Sequence, residues 1–182
     1  MFKISVNIED DLWKSKLNSS VFKNFINPEL LNLILKISRK KNIYFYDQIL
    51  EKKSFIELKN FGCDIKILIS FINDKAMSKL NYNYRKKEGS TNVLSFSYCI
   101  NENKSSFYLG EIFCAFQTIS KEAIDQGKDF YDHLRHLILH GILHLLGYDH
   151  IEEKDAVTME ALEVKILKKY FILNPYLQND CD

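Results

Sequence analysis

The sequence contains few residues that interrupt regular structure, with only two prolines and six glycines among 182 residues. Long disordered linkers are rich in such residues, so this composition argues against one. Hydrophobic residues make up 46% of the chain and charged residues 27%, which is ordinary for a globular protein. We therefore expect a single domain over residues 1–182, in which residues 171–182 form a loose tail.

An excess of charge of one sign is also absent, because the net formal charge is +1. The overall charge does not mark a nucleic-acid binder, so any such surface must be a local basic patch. No apolar run reaches the roughly 18 residues that cross a bilayer, and acids near the start argue against a secretory signal. The four cysteines form no CxxC pair, which makes a thiolate zinc site unexpected. We expect a cytoplasmic protein with reduced cysteines and no membrane partner.

Hydrophobic periodicity predicts strands and helices in an order typical of an α+β fold. The predicted strands are Phe2–Ile8, Ile65–Phe71, Val93–Tyr98 and Phe107–Phe116. The predicted helices begin at Asn27-Pro28, at Asn73, at Ile119, at Asp129 and at Ile151. Residues 42–60 fit either a strand or a buried turn, and Asn101–Ser106 is expected to be a connection. In the last helix, the core candidates are Val157, Leu162, Val164, Ile166 and Leu167.

All five histidines lie between His133 and His150. The four-residue spacing places His140 and His144 on one face of a helix, one turn apart. Gly147 can end that helix in a left-handed conformation, which would bring His150 back toward the other two. His133 and His136 share the helix face, and geometry alone also permits a pair of His136 with His140. The short return from Gly147 favours His140, His144 and His150 as the ligands of a transition metal.

Three imidazole ligands without a thiolate favour one Zn²⁺ per chain, with Ni²⁺, Co²⁺ and Cu²⁺ as alternatives. Because three protein ligands leave a fourth position open, the pattern is typical of a catalytic site. The same spacing occurs in metzincin proteases, but their catalytic glutamate is replaced here by Gly141. Met159 is better explained as a core residue than as a Met-turn. A metalloprotease-like hydrolase is therefore an alternative that lacks its general base.

The segment His140–His150, read as HGILHLLGYDH, resembles the YbeY family of bacterial metal-dependent endoribonucleases, or rRNA maturation factors. Weaker matches occur in the family's order at Asn83–Arg85, Thr91–Phe96, Leu109–Ile112 and Glu160–Glu163, so the resemblance covers roughly residues 65–170. Two positions depart from the family: Glu111 stands where it usually has Asp, and Ser97 where it usually has Pro. The longer Glu111 side chain keeps a carboxylate at its position.

The resemblance implies a small mixed sheet packed with a helical layer, and a metal-binding helix and turn in a cleft. It implies hydrolysis of single-stranded RNA in 16S rRNA 3′-end maturation and ribosome quality control, with the ribosome or its small subunit as a partner. It also implies Arg85 as the arginine of the cleft, and we expect Arg85 and His140 to be catalytic. A ribosome-binding factor in which the metal is mainly structural is a further alternative.

The chemistry of RNA cleavage gives further residues a function. Arg85 can pair with two phosphate oxygens, and Lys86 and Lys87 would add attraction to the backbone, although such a triplet also suits a solvated loop. Stacking on unpaired bases is a second expectation, for which the candidates are Tyr82, Tyr84 and Tyr98. Asp149 or Glu111 could orient a ligand, and Glu111 could instead handle a proton. The sequence leaves the general base and the nucleophile open, including the RNA 2′-hydroxyl.

Overall fold

The computed structural model describes residues 2–17, 25–26, 30, 32–34, 36, 42–47, 52–57, 64–103 and 106–177. Its strands are β1 (Phe2–Ile8), β2 (Asn42–Asp47), β3 (Lys52–Glu57), β4 (Asp64–Ile72), β5 (Val93–Asn103) and β6 (Ser106–Ala115). Its helices are α1 (Asp11–Leu17), α2 (Asp74–Arg85), α3 (Phe116–Asp125), α4 (Phe130–Leu145) and α5 (Glu153–Leu167), and Lys168–Tyr170 adds a 3₁₀ turn. Residues 30, 32–34 and 36 are also helical.

Four strands form a mixed sheet in the order β1-β4-β6-β5. Strand β4 pairs in parallel with both β1 and β6, and β5 returns antiparallel to β6. Strands β2 and β3 form a separate antiparallel hairpin. Strand β4 is central and nearly continuously apolar, as expected for a strand covered on both faces. Strand β5 lies at the edge of the four-stranded sheet.

The two faces of this sheet carry different helices. Leu94 on β5 lies opposite Phe113 on β6, and both pack with Met77 of α2. Ser95 and Ile112, which also lie opposite each other, face Gly141 of α4. Because side chains alternate along a strand, α2 and α4 lie on opposite faces of the sheet. The larger core lies on the α4 face, where Trp13 of α1 packs against Phe71 at a ring distance of 4.7 Å.

The predicted α+β fold is confirmed, and a strand lies at each predicted place, except that Phe116 begins α3 instead of ending β6. Asn73 caps α2 by accepting a hydrogen bond from the Ala76 amide, as its position predicted. The Ile43–Tyr46 segment, left open in the sequence, lies within β2. Parts of the helix predicted to begin at Asn27-Pro28 lie outside the described residues, although Leu30 and Ile34 are helical and buried.

Two expectations need correction. Residues 101–103 belong to β5 and Ser106 to β6, because the two strands form a long hairpin where a connection was expected. Val157 is 63% exposed, since the buried stripe of α5 runs through Met159, Leu162 and Ile166 instead. Residues 171–177 of the predicted tail are described, and within them the Pro175 carbonyl accepts from Lys128 and the Tyr176 hydroxyl donates to Glu163.

The cysteine and membrane predictions are tested in part. Cys114 is a buried free thiol, and burial raises its pKa above the ordinary value. Cys63, Cys181 and the side chain of Cys99 lie outside the described residues. Within the described ranges, no helix is both long enough and apolar enough to cross a membrane.

Helix α4 lies unusually close to the sheet at Gly141. A Cβ atom there would lie 2.9 Å from Ile112 Cγ2 and 2.9 Å from Ser95 Oγ. Ile112 is branched at Cβ and fully buried, so it has little freedom to move away. Gly141 therefore sets the distance between α4 and the sheet, and the position has no room for a larger side chain.

We predict that Gly141→Ala destabilises the protein by about 1–3 kcal/mol, because the added methyl group overpacks this contact. The sign of the change in unfolding free energy distinguishes overpacking from helix propensity, since Gly→Ala inside an unconstrained helix stabilises the protein by up to about 1 kcal/mol. Urea unfolding followed by circular dichroism measures the difference. A Gly141→Ala protein more stable than the wild type would show that α4 is not in tight contact with the sheet.

Candidate metal centre

Helix α4 begins and ends where its sequence dictates. Asp129 caps its first turn by accepting hydrogen bonds from the amides of Tyr131 and Asp132. At the other end, the Gly147 amide donates to the His144 carbonyl at 2.8 Å, and the Tyr148 amide donates to Leu143 at 3.0 Å. Gly147 has a φ of 75°, so these two bonds form the Schellman motif that ends many helices. The turn sends the chain back toward α4 directly after His144.

The turn brings together the three histidines predicted as ligands. Their ring centroids lie 4.5 Å apart for His140 and His144, 5.2 Å for His140 and His150, and 5.0 Å for His144 and His150. Each ring offers one nitrogen within 4.8 Å of the other two, so the three could together hold a metal ion. His140 and His144 are half-buried, whereas His150 is exposed. One side of the cluster is therefore open to solvent.

The hydrogen bonds of the rings identify which nitrogens are available. Nδ1 of His144 lies 3.1 Å from the Tyr148 carbonyl, and Nδ1 of His140 lies 2.9 Å from Glu163 Oε1. A carbonyl and a carboxylate only accept, so both Nδ1 atoms must carry the proton. When both rings are neutral, the two Nε2 atoms present lone pairs to each other at 3.0 Å. Such an approach is favourable when a cation lies between the lone pairs, and this donor set fits a divalent transition metal.

The surroundings also favour the form of histidine that binds metals. Burial lowers the pKa of His144 to about 4, helped by the neighbouring rings of His140 and His150. The ring is therefore neutral at neutral pH, as a metal ligand must be.

A buried carboxylate lies directly behind the cluster. Glu163 of α5 is fully buried and accepts hydrogen bonds from His140 Nδ1, from His136 Nε2 at 2.9 Å and from the Tyr176 hydroxyl. Burial alone would raise its pKa, but the bonds from His136, His140 and Tyr176 outweigh burial and leave the pKa at about 2. Glu163 is thus an ionised acceptor that fixes the orientation of a predicted ligand.

The sequence reasoning assigned this orienting function to other residues. Asp149 accepts a hydrogen bond from the backbone amide of His150, at 2.8 Å. Glu111 accepts from Ser70 at 2.5 Å and pairs across the sheet with Phe96, on the face opposite α4. The groups that contact the Nδ1 atoms of His140 and His144 are instead Glu163 and a backbone carbonyl. The sequence does contain one indication of Glu163, which is an acidic residue among the buried apolar positions of α5. A buried charge requires a partner, so such a residue points to a polar contact.

The two remaining histidines of α4 differ in their partners. His136 shares the Glu163 carboxylate with His140, so it supports the cluster from one turn away. His133 bonds to Glu122 of α3 at 2.9 Å, and Glu122 also accepts from Asn92. This second Glu–His pair, in which His133 is buried and Glu122 is half-buried, joins α4 to α3.

The cluster lies in a cleft of about 1020 Å³ that follows the edge strand β5. Residues 91–98 line it along the sheet edge, and the three clustered histidines line it on the α4 side. Arg85, the last residue of α2, lines the same cleft and is exposed. Tyr98 is the one member of the predicted stacking set among the lining residues described, while Tyr82 and Tyr84 are exposed on α2.

Comparison with known proteins agrees with this arrangement. The family described as endoribonuclease YbeY matches residues 34–171. This chain belongs to that family. An endoribonuclease YbeY of Ehrlichia canis is 36% identical over 179 residues, which cover 97% of this chain and 99% of that protein. Another, from Ruthia magnifica, is 46% identical over 111 residues, or 61% of this chain and 77% of that protein.

The fold also resembles a solved structure. The solution structure of a Thermotoga maritima protein superposes with a TM-score of 0.52 at 21% identity, covering 93% of this chain and 89% of that one. At this identity the likeness concerns the fold alone. It agrees with the α+β architecture described above.

We predict that the double variant H140A/H144A loses stoichiometric zinc and keeps its fold, because both rings are partly exposed at a helix surface. Metal content after equilibrium dialysis, with circular dichroism in parallel, provides the measurement. His133→Gln is the matched control, since it changes a histidine of the same helix that is bonded to Glu122. Full zinc content in H140A/H144A would exclude this choice of ligands.

Proposed function

We propose that the protein is a zinc-dependent endoribonuclease specific for single-stranded RNA, acting in the cytoplasm. Its biological function would be 16S rRNA 3′-end maturation and ribosome quality control, with the small ribosomal subunit as a partner. The chain would act as one domain over residues 1–182. The observation that carries the proposal is the pair of Nε2 atoms of His140 and His144 that face each other at 3.0 Å inside the cleft of an endoribonuclease family member.

His140, His144 and His150 would hold the metal, and Arg85 and His140 would be the residues on which catalysis depends. A bound divalent metal would supply a Lewis acid that polarises a phosphoryl oxygen. Arg85 presents a planar guanidinium that can pair with two phosphate oxygens, which fixes the position of the RNA backbone in the cleft. Tyr98 is 39% exposed along the cleft wall, so its ring is available to contact an unpaired base.

Because β5 is the edge strand of the sheet, the cleft beside it suits single-stranded RNA better than an RNA duplex. The cleft is lined on one side by residues 91–98 of the chain and on the other by the turn after α4. A groove between a sheet edge and a helix can accept an extended backbone with its bases splayed outward. Single-stranded RNA is recognised in this way, by stacking and by contacts to phosphates.

Gly141 gives a structural reason to prefer this function to proteolysis. In the metzincin pattern, the residue after the first histidine is the catalytic glutamate. Here that position is buried and is not among the cleft-lining residues, and a Cβ atom there would lie 2.9 Å from both Ile112 and Ser95 of the sheet. The side chain of a general base at position 141 would therefore have no space.

We predict that Arg85→Glu lowers cleavage of single-stranded RNA by about 100-fold or more, because a charge-assisted bidentate contact is replaced by repulsion. Zinc content should remain at the wild-type level. Lys79→Glu is the matched control, since it reverses an exposed charge on the same helix outside the cleft lining. Equal cleavage rates for the wild type and Arg85→Glu would remove Arg85 from the proposed mechanism.

We also predict that the purified protein cleaves single-stranded RNA, that chelation stops cleavage and that added Zn²⁺ restores it. Casein, tested in the same buffers, should remain intact. The assay uses end-labelled RNA with H140A/H144A as the control for contaminating nuclease. Zinc-dependent cleavage of casein would favour the protease alternative, and a metal-free folded variant that supports ribosome maturation would favour the structural-metal alternative.

A further inference from the structure

The segment that follows α5 contacts the group behind the metal centre. The Tyr176 hydroxyl donates a hydrogen bond to Glu163 Oε2, and the Tyr176 ring lies edge-on to His136 at a centroid distance of 5.5 Å. Lys128 holds the preceding residue by donating to the Pro175 carbonyl at 2.7 Å. We propose that Tyr176 is a positioning residue for His140, acting through the Glu163 carboxylate. This inference rests on the proposed binding of a metal by His140.

The two oxygens of Glu163 have separate partners. Oε1 accepts from His140 Nδ1, whereas Oε2 accepts from His136 Nε2 and from the Tyr176 hydroxyl. Rotation of the carboxylate about its last bond would break both contacts to Oε2. These two donors therefore hold the plane of the carboxylate, and the plane directs Oε1 at His140. Tyr176 is one of two anchors for that plane.

The direction of Oε1 matters because it sets the orientation of the His140 ring. An Nδ1–H bonded to a fixed acceptor leaves Nε2 as the metal-binding atom and points it toward His144. Loss of one anchor lets the carboxylate rotate and the ring follow it. The expected result is weaker and less regular metal coordination, with no change in the ligand set.

Tyr176 can be altered without disturbing the core. Its side chain is 42% exposed, and a phenylalanine at position 176 keeps the ring contact with His136. Tyr176→Phe therefore removes the hydrogen bond to Glu163 and a longer contact of the hydroxyl with His136 Nε2, at 3.4 Å. Glu163 is fully buried, so Glu163→Gln carries a greater risk to folding, and the Tyr176→Phe variant provides a test that stands without it.

The experiment measures the affinity of Zn²⁺ by competition with a chromophoric chelator for four chains: wild type, Y176F, E163Q and the double variant. We expect about a 2- to 10-fold loss for Y176F, the range given by one hydrogen bond. For E163Q we expect about a 10- to 100-fold loss, as for other groups that orient a metal ligand. The double variant should match E163Q, because Tyr176 acts only through that carboxylate.

Cobalt substitution gives a second readout that a purely structural effect would not change. The visible absorption of Co²⁺ reports the geometry of its ligands, so Y176F should shift or broaden the bands of the wild-type protein. The unfolding midpoint of metal-free Y176F should match that of the metal-free wild type, as for exposed substitutions.

Two matched controls separate positioning from general effects. Tyr131→Phe removes a tyrosine hydroxyl that bonds to the Lys16 carbonyl at 3.1 Å, at the other end of α4. Glu122→Gln alters the other Glu–His pair that involves α4, in which half-buried Glu122 of α3 bonds to His133. Both should bind Zn²⁺ with wild-type affinity.

The outcomes are distinct. Wild-type affinity for Y176F, a tighter Y176F, or an equal loss in Y131F would overturn the inference while leaving metal binding intact. The same holds for losses that simply add in the double variant. A wild-type protein whose three clustered histidines bind no metal would overturn both the inference and the proposed function.

Discussion

The approach of two ring nitrogens to 3.0 Å, those of His140 and His144, is the constraint on which the C-terminal half of the molecule depends. Each ring is turned into that position by an acceptor on its other nitrogen. The helix spacing supplies the pair, the glycine turn supplies the Tyr148 carbonyl, and α5 supplies Glu163. When both rings are neutral, these acceptors leave two lone pairs facing each other, an arrangement that a cation between them would stabilise.

The sheet determines which side of the histidine cluster is exposed to solvent. Gly141 allows α4 to lie close against Ser95 and Ile112, and the ligand face of the helix is adjacent to that contact face. Since β5 is the edge strand, the three clustered histidines lie in a cleft at the edge of the sheet and not in its core. A larger residue at position 141 would push α4 away from the sheet and so change the shape of the cleft between them. The same glycine thus explains both the tight packing and the missing protease base.

Local signals predicted much of this from sequence. The spacing of His140, His144 and Gly147 fixes a helix and its end, and Asn73 fixes a helix start, because these geometries involve neighbours in the chain. The partner of His140 could not be predicted in the same way. Glu163 is 23 residues away, in a helix rich in acids, and its selection depends on how α5 packs against α4. Val157 was misassigned to the core for the same reason, since the apolar residues of α5 permit more than one buried face.

The charge of the cleft shows how a chain of net charge +1 can suit a polyanion. Among the described residues that line the cleft, Asp149 is the only acid, and one of its oxygens already accepts from the His150 amide. Glu163 is buried behind His140 and accepts hydrogen bonds from His136, His140 and Tyr176. These three donors reduce the negative potential that Glu163 produces in the cleft. A metal in front and Arg85 on the opposite wall would then leave the open side positive. An acid placed behind His140 would satisfy two requirements at once, because it orients the imidazole and keeps negative charge away from a phosphate in the cleft.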